Sequence, residues 1–249
     1  ARRTDGRYQA AAAIKLPHRA VLAHGGAARF EREGRMLARV SHPHIAALLD
    51  AGVAASGQPY LVLEYVQGEP IDRYCDRLGL DVRARITLFL DVLGAVAHAH
   101  AQLVLHRDLK PSNILVDAAG QVKLLDFGIA KLIEGDDAPA PLVQTQRLFT
   151  PEYAAPEQLQ GEPVGTATDV YALGVLLYRL LVTQHPTATL AQTPVERLRG
   201  VVETLPTPMS ELAARLDGET CAQRATHARQ LARTLRGDLD TIVGKALKK

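Results

Sequence analysis

The sequence lacks the features that mark several classes of protein. It has no tryptophan and only two cysteines among 249 residues. Cys75 and Cys221 stand far apart and outside any C-x-x-C pattern, so they predict two reduced thiols of a cytoplasmic protein rather than a disulfide framework or a zinc site. Lysine and arginine (29) almost balance aspartate and glutamate (27), and the net charge of +2 is too small to indicate a nucleic-acid partner.

Long apolar runs are absent as well. The longest one, residues 171–182, is interrupted by Arg179, whereas a membrane-spanning helix needs about 20 apolar residues. Residues 1–15 are polar, basic and rich in alanine, without the apolar core of a signal peptide. We therefore predict no membrane segment within this sequence, and an anchor outside it stays open. The first residue is Ala1 rather than Met, which indicates a piece of a longer chain.

Hydrophobic periodicity divides the sequence into a smaller part with strands and a larger helical part. In the first part it predicts strands at 12–16, 48–53 and 59–65 and a helix at 29–40. A break at 66–70 follows. In the second part it predicts two short strands, at 114–116 and 122–125, and helices at 72–78, 82–102, 166–182 and within 206–237. Residues 166–182 are apolar nearly all round, so this helix should be buried.

A lysine and a glutamate are predicted to meet in the first part. Lys15 lies on the same face of its strand as Ala13, because side chains alternate along a strand. Glu33 lies one turn before Leu37, near the apolar stripe of its helix, where an unpaired carboxylate is costly. Lys15 is the obvious cation for it, although a lone strand lysine is more often solvated.

The most informative feature is the run His106-Arg107-Asp108-Leu109-Lys110-Pro111-Ser112-Asn113, which Asp126-Phe127-Gly128 follows. Two acids and an amide stand here in fixed order, with strand-like stretches around them. Taken singly, Asp108, Asn113 and Asp126 would each be interpreted as a turn residue. Together they match what a site needs to orient a hydroxyl nucleophile and to hold magnesium on a nucleotide. A further run, at 150–157, ends in Ala155-Pro156-Glu157.

These motifs resemble those of the protein kinase family, most closely the bacterial serine/threonine kinases of the Hanks type. The resemblance implies an α+β fold of two lobes: a small antiparallel-sheet lobe with one helix, here residues 1–66, and a larger, mainly helical lobe, here residues 67–249. It also implies transfer of the γ-phosphate of ATP to serine or threonine hydroxyls of protein substrates, with Mg2+ or Mn2+. The lysine two residues after Asp108, together with the 150–157 run, favours Ser/Thr over Tyr substrates.

The resemblance gives each motif residue a role in phosphoryl transfer. Lys15, in the Ala-Ala-Ile-Lys version of V-A-I-K, would hold the α- and β-phosphates, and Glu33 would orient Lys15. Asp108 would accept the proton of the substrate hydroxyl, and Lys110 would neutralise the γ-phosphate. The metal ligands would be Asn113 and Asp126.

An adenine pocket is implied by the resemblance alone. Ala13 and Leu115 would sandwich the ring. Leu63 would be the gatekeeper residue at the back of the pocket, and the backbone of Glu64 and Val66 would hydrogen-bond the adenine edge.

Structural roles also come from the resemblance. His106 would belong to a packed column, together with Leu37, Leu48 and Phe127. Asp169 would hydrogen-bond the backbone of the catalytic loop from beneath. The pattern Thr166-x-x-Asp169 is also that of a helix capping box, so both interpretations stay open at this point.

The 150–157 run resembles the end of the family's activation segment. Thr150 would pack against the catalytic loop, and Glu157 would pair with an arginine further along the chain. Arg107 and Lys131 would converge on a phosphorylated loop residue, for which Thr145 is the best candidate, because a phosphate there would gain charge-assisted hydrogen bonds. Self-association would allow such autophosphorylation.

One family motif is missing. No glycine-rich G-x-G-x-x-G loop precedes Lys15, and Gly25-Gly26 has another spacing. We expect a chain that begins just after this loop, ends before the last helix of the large lobe, and binds ATP poorly. A pseudokinase or scaffold module of the same fold is the alternative function, and a small-molecule phosphotransferase is a weaker third.

Two histidine pairs, His42/His44 and His98/His100, invite a metal interpretation. Residues two apart on a helix do not face each other, and no acid or cysteine completes a site near His42. The sequence therefore favours ordinary structural histidines at these positions.

Overall fold

The structure is a computed structural model, and it describes residues 11–17, 30, 32, 34, 37–127, 152–187 and 193–249. For residues 194, 195 and 197 it describes the backbone alone. Helices and two antiparallel sheets make up the described part, which confirms the predicted α+β class. No helix in these ranges is long and apolar enough to span a bilayer.

The first sheet consists of β1 (Ala12–Lys15), β2 (Leu48–Val53) and β3 (Pro59–Glu64), in the order β1-β3-β2. We call the region of this sheet the small lobe and everything from residue 68 onward the large lobe. Along β3, Leu61 and Leu63 alternate with more exposed residues and join Phe30 in a small core. Phe30 and Leu37 are helical positions, and Leu37 packs on the same core.

The second sheet consists of β4 (Gly68–Pro70), β5 (Ile114–Asp117) and β6 (Val122–Leu124), in the order β4-β5-β6. The predicted break at 66–70 is therefore wrong for residues 68–70, which form a strand. Glycine and proline indicated a turn there, but Gly68 pairs with Asp117 at close range. A Cβ atom on Gly68 would lie 2.7 Å from the carbonyl oxygen of Val116, so the pairing requires a residue without a side chain.

The described helices follow in chain order. They are α1 (Ile71–Arg77), α2 (Val82–His100), α3 (Pro156–Gln160), α4 (Thr166–Val182), α5 (Pro194–Glu203), α6 (Met209–Ala213), α7 (Gly218–Ala222), α8 (Ala228–Leu235) and α9 (Asp238–Ala246), with a 3-10 turn at Pro111–Asn113. Helix α2 begins where the Asp81 carboxylate accepts a hydrogen bond from the Ala84 N–H. Residues 171–182 of α4 are buried except Arg179, which confirms the predicted central helix.

The start of α4 differs from the capping box predicted at Thr166 and Asp169. The hydroxyl of Thr168 accepts a hydrogen bond from the Gly165 N–H (3.1 Å). The Asp169 side chain points away from the helix end, towards residues 106 and 107. The capping-box prediction is therefore wrong, because the Asp169 carboxylate accepts hydrogen bonds from the backbone of His106 and Arg107 instead.

Two buried arginines join distant parts of the large lobe. Arg85 of α2 donates to the carbonyls of Leu80, Cys75, Leu180 and Gln223 and pairs with Asp76 at 2.8 Å. Arg224 donates to the carbonyls of Leu181 and Leu180, at the end of α4. Burial is the largest cause that lowers the pKa of Arg224 to about 10, and the positive charge of the neighbouring Arg85 contributes as well. Cys75 and Cys221 are buried free thiols.

Candidate active site

Three side chains of the 106–113 run come together between α2 and β5. The Asp108 carboxylate is the common partner: Lys110 Nζ lies 2.7 Å from its Oδ2 atom. The side-chain amide of Asn113 donates to the backbone oxygen of Asp108 (2.8 Å) and to its Oδ2 atom (3.1 Å). These bonds fix the direction of a carboxylate that is still partly exposed to solvent.

A second acid faces this group from the end of β6. Asp126 has a left-handed backbone (φ 62°), which aspartate tolerates better than most residues. Its Oδ2 atom contacts the ammonium group of Lys15 on β1. This ion pair is one of the contacts that join the small lobe to the large lobe. Glu33, the partner predicted for Lys15, lies outside the described residues.

His106 is completely buried behind the run. Its Nε2 atom lies 3.0 Å from the carbonyl oxygen of Leu125, and its Nδ1 atom accepts a hydrogen bond from the Asp108 N–H (3.3 Å). A neutral imidazole with its proton on Nε2 satisfies both contacts. Burial lowers the pKa of His106 and outweighs the nearby Asp169 and Asp108, so the ring stays neutral.

The packed column predicted around His106 has its members close together. The His106 and Phe127 rings contact edge to face, with centroids 4.8 Å apart. Phe127, Leu37 and Leu48 line one small cavity, together with Leu63. The cavity also reaches Asp126, so the column stands directly behind the ion pair with Lys15.

Asp169 supports the catalytic loop from α4. Its carboxylate accepts hydrogen bonds from the backbone N–H groups of His106 and Arg107, both at 2.8 Å. A third bond, also 2.8 Å, comes from His100 Nε2 at the end of α2. Burial alone would raise the pKa of Asp169, but the bond from His100 and the two backbone bonds outweigh it and lower the pKa. The carboxylate is therefore a fixed anion beneath the loop.

His100 was missed as a site residue in the sequence. It was considered only as half of a metal pair with His98, because nothing in the local pattern links position 100 to position 169. Within the described part of the chain, no group of three His, Cys, Asp or Glu side chains could hold a metal ion.

The residues expected to form the adenine pocket lie on β1, β3 and β5 and just after β3. Ala13 pairs with Leu63 across the first sheet, and Leu63 is buried. Leu115 is a half-buried residue of β5. The Glu64 carboxylate bonds the Lys123 ammonium (2.9 Å) and the Ala47 N–H, while Val66 follows β3 as a half-buried residue.

The family model of the protein kinase domain matches residues 2–233 of this chain. The chain belongs to the protein kinase family. One relative is a serine/threonine-protein kinase PknA of Mycobacterium tuberculosis, 40% identical over 166 residues, which are 64% of this chain and 38% of the relative. Another is the probable serine/threonine-protein kinase PknB of Lactococcus lactis, 38% identical over 161 residues, which are 64% of this chain and 25% of the relative.

A longer match covers 89% of this chain. It is to the serine/threonine-protein kinase PknB of Mycobacterium tuberculosis, 34% identical over 226 residues, which are 32% of that protein. The chain therefore spans roughly a quarter to two fifths of the length of these kinases.

Residues 157 and 158, at the end of the 150–157 run and just after it, are held by side-chain hydrogen bonds. Gln158 donates to the carbonyl of Arg107 (2.9 Å). Glu157, for which an arginine partner is predicted, accepts a hydrogen bond from the Thr168 hydroxyl (2.6 Å). The hydroxyl of Tyr171 is buried without a hydrogen-bond partner among the described residues. Lys131, Thr145 and Thr150 lie outside those residues.

Proposed function

We propose that this chain is the catalytic domain of a serine/threonine protein kinase, with lobes at residues 1–66 and 67–249. The observation that carries the proposal is the grouping of Asp108 with Lys110 and Asn113 and of Lys15 with Asp126, with both acids close enough to His106 to act on its charge. The relatives described above are serine/threonine-protein kinases, which supports the same activity and the same acceptor residues.

Asp108 would act on the hydroxyl group that accepts the phosphate. Its carboxylate would hydrogen-bond the Ser or Thr hydroxyl of a protein substrate and take its proton as the hydroxyl oxygen bonds the γ-phosphorus of ATP. The bond from phosphorus to the bridging oxygen of ADP breaks in the same displacement. Lys110 lies beside Asp108, where its ammonium group would balance the charge of the γ-phosphate.

Asn113 and Asp126 are the residues that would hold Mg2+, or Mn2+ in its place. A carboxylate and an amide oxygen suit a hard cation that keeps several waters and binds phosphates as well. The Lys15 ammonium beside Asp126 indicates that this carboxylate already accommodates a positive charge. When bound, the metal neutralises charge on the phosphates. Lys15 would then be shared with the α- and β-phosphates.

The decisive experiment is Mg-ATP-dependent autophosphorylation of the full-length protein, measured by intact mass. We expect added phosphate on serine or threonine in the unmodified protein and none in Asp108→Asn. Asp238→Asn, an exposed acid at the start of α9, is the matched control and should behave as the unmodified protein. Mapping the phosphate also tests Thr145, whose predicted anchors are Arg107 and Lys131.

Each other outcome has a definite meaning. Equal phosphorylation in Asp108→Asn would contradict the role of Asp108. Nucleotide binding without transfer to the protein itself or to any added protein would indicate the pseudokinase alternative.

A further inference from the structure

Three histidine rings lie together where the two lobes join. His42 and His44 belong to residues 42–47, which we call the linking segment, and His98 lies on α2. The ring centroid of His42 is 5.5 Å from that of His44 and 5.1 Å from that of His98. All three side chains are half-buried, so protons can reach the rings while water screens them only in part.

The hydrogen bonds of the three rings respond differently to protonation. His42 Nδ1 accepts a bond from the His44 N–H (3.2 Å), and His98 Nε2 lies 2.7 Å from the side-chain amide of Gln102, so each of these bonds requires an unprotonated nitrogen. His44 Nδ1 lies 3.0 Å from the carbonyl oxygen of Val122 and can donate to it in either state. The contact between the segment and α2 that positive charge would oppose is the packing of the His42 ring on the His98 ring.

The linking segment ties the small lobe to β6. The His44 carbonyl accepts a hydrogen bond from the Leu124 N–H (2.8 Å), and the Ala46 N–H donates to the Leu124 carbonyl (2.9 Å). Ile45 and Ala46 line the same small cavity as Asp126 and Phe127. A displacement of this segment would therefore reach the site itself.

The charges around the cluster in the described part of the chain include one carboxylate close to the rings. Among the described residues, those that act on His42 come from His98, His44 and Asp91. Asp91 of α2 lies 3.6 Å from His44 Nε2, and its carboxylate can pair with one imidazolium. From β6, Lys123 directs its ammonium to Glu64. Burial is the largest cause of the lowered pKa of His42, and the charges of His98 and His44 lower it further. The carboxylate of Asp91 acts in the opposite direction.

We propose that the packing of His42 on His98 is a pH-sensitive latch, which closes the linking segment on α2 when His42 is neutral and loosens it when His42 is protonated. The folded state takes up a proton at His42 less readily than the unfolded state does. The latch is closed above pH 6.5, the ordinary pKa of histidine, and opens as the pH falls through the lowered pKa of His42. Its effect on phosphoryl transfer rests on the proposed function, whereas the latch itself does not.

Hydrogen exchange tests the latch without any assay of activity. Peptides that cover residues 42–47 and 122–126 of the full-length protein are compared at pH 7.5 and 5.5, after correction for intrinsic exchange rates. We expect the unmodified protein to lose protection in both peptides at the lower pH. His98→Gln removes one repelling charge and should move the loss to lower pH. Asp91→Asn removes the balancing charge and should move the loss to higher pH.

His227→Gln, an exposed histidine at the start of α8, is the matched control and should leave the profile unchanged. A purely structural role would shift both variants in the same direction, and that result would overturn the proposal. Equal protection at both pH values in the unmodified protein would overturn it as well. If the protein shows the expected exchange but transfers no phosphate at any pH, the latch stands and the proposed kinase function fails.

Discussion

At the scale of the residue, Asp169 shows how one buried charge can position a loop that belongs to another part of the chain. It is 1% exposed and accepts three hydrogen bonds, from His100 and from the backbone of His106 and Arg107. All three donors lie on elements that precede α4 in the chain. The loop that holds Asp108 is therefore fixed from α4 rather than by its own turn.

Replacing Asp169 with asparagine should destabilise the protein by about 2–3 kcal/mol at pH 7, because an amide oxygen is a weaker acceptor and its NH2 group would face a donor. Urea unfolding checks this. The folded-state pKa of Asp169 is lowered, so its contribution is complete above the ordinary value of 3.8 and is lost as the pH falls through the lowered value. The gap between the two proteins should therefore narrow in acid.

Asp217→Asn is the matched control for this change. Asp217 is an exposed cap of α7 that accepts from the Thr220 N–H, and asparagine caps helices equally well. An equal loss of stability in both variants would contradict the role assigned to the Asp169 carboxylate.

At the scale of the element, the turn that follows α2 contains a residue in an unfavourable conformation. Leu103 has φ 61° and is 89% exposed, so no packing offsets its left-handed backbone. Leu103→Gly should stabilise the protein by roughly 0.5–1 kcal/mol, since glycine adopts this region without steric penalty. Leu205→Gly is the matched control: Leu205 is 83% exposed and has no positive φ, so the same change there should destabilise. Thermal unfolding of both variants measures these changes in stability. A loss of stability in Leu103→Gly would contradict the strain assigned to the Leu103 backbone.

The elements also show what a sequence can predict. The burial of helix α4 was predicted because a helix that is apolar nearly all round has to be covered by the rest of the chain. Strand β4 was missed because Gly68 and Pro70 are turn residues in any local interpretation, and only the approach of Val116 makes glycine necessary. The order of the acids in the 106–126 region predicted a site, but the support of His100 could not be predicted, because it depends on packing between α2 and α4.

At the scale of the whole molecule, the buried arginines hold helices that are far apart in sequence. Arg224→Leu would remove the guanidinium donor of the Leu181 carbonyl and leave the Leu180 carbonyl with Arg85 alone, so we expect a loss of about 2–4 kcal/mol in urea unfolding. Arg199→Leu is the control, because Arg199 is exposed and lies 3.9 Å from Glu203, a pair worth less than about 0.5 kcal/mol. Similar losses in both variants would show that burial of the guanidinium is unimportant.

The long-range hydrogen bonds of Arg85 also affect how the chain folds during its synthesis. One of its acceptors, the carbonyl of Gln223, lies 138 positions further along. A ribosome synthesises the chain in order of its sequence. The Arg85 guanidinium therefore lacks its Gln223 acceptor until α7 and the residue after it have emerged. We expect ribosome-bound chains that stop before α7 to remain sensitive to protease, and chains that extend well beyond it to become resistant in a single step. The helical lobe would then be completed late, by the same residues that bury its two arginines.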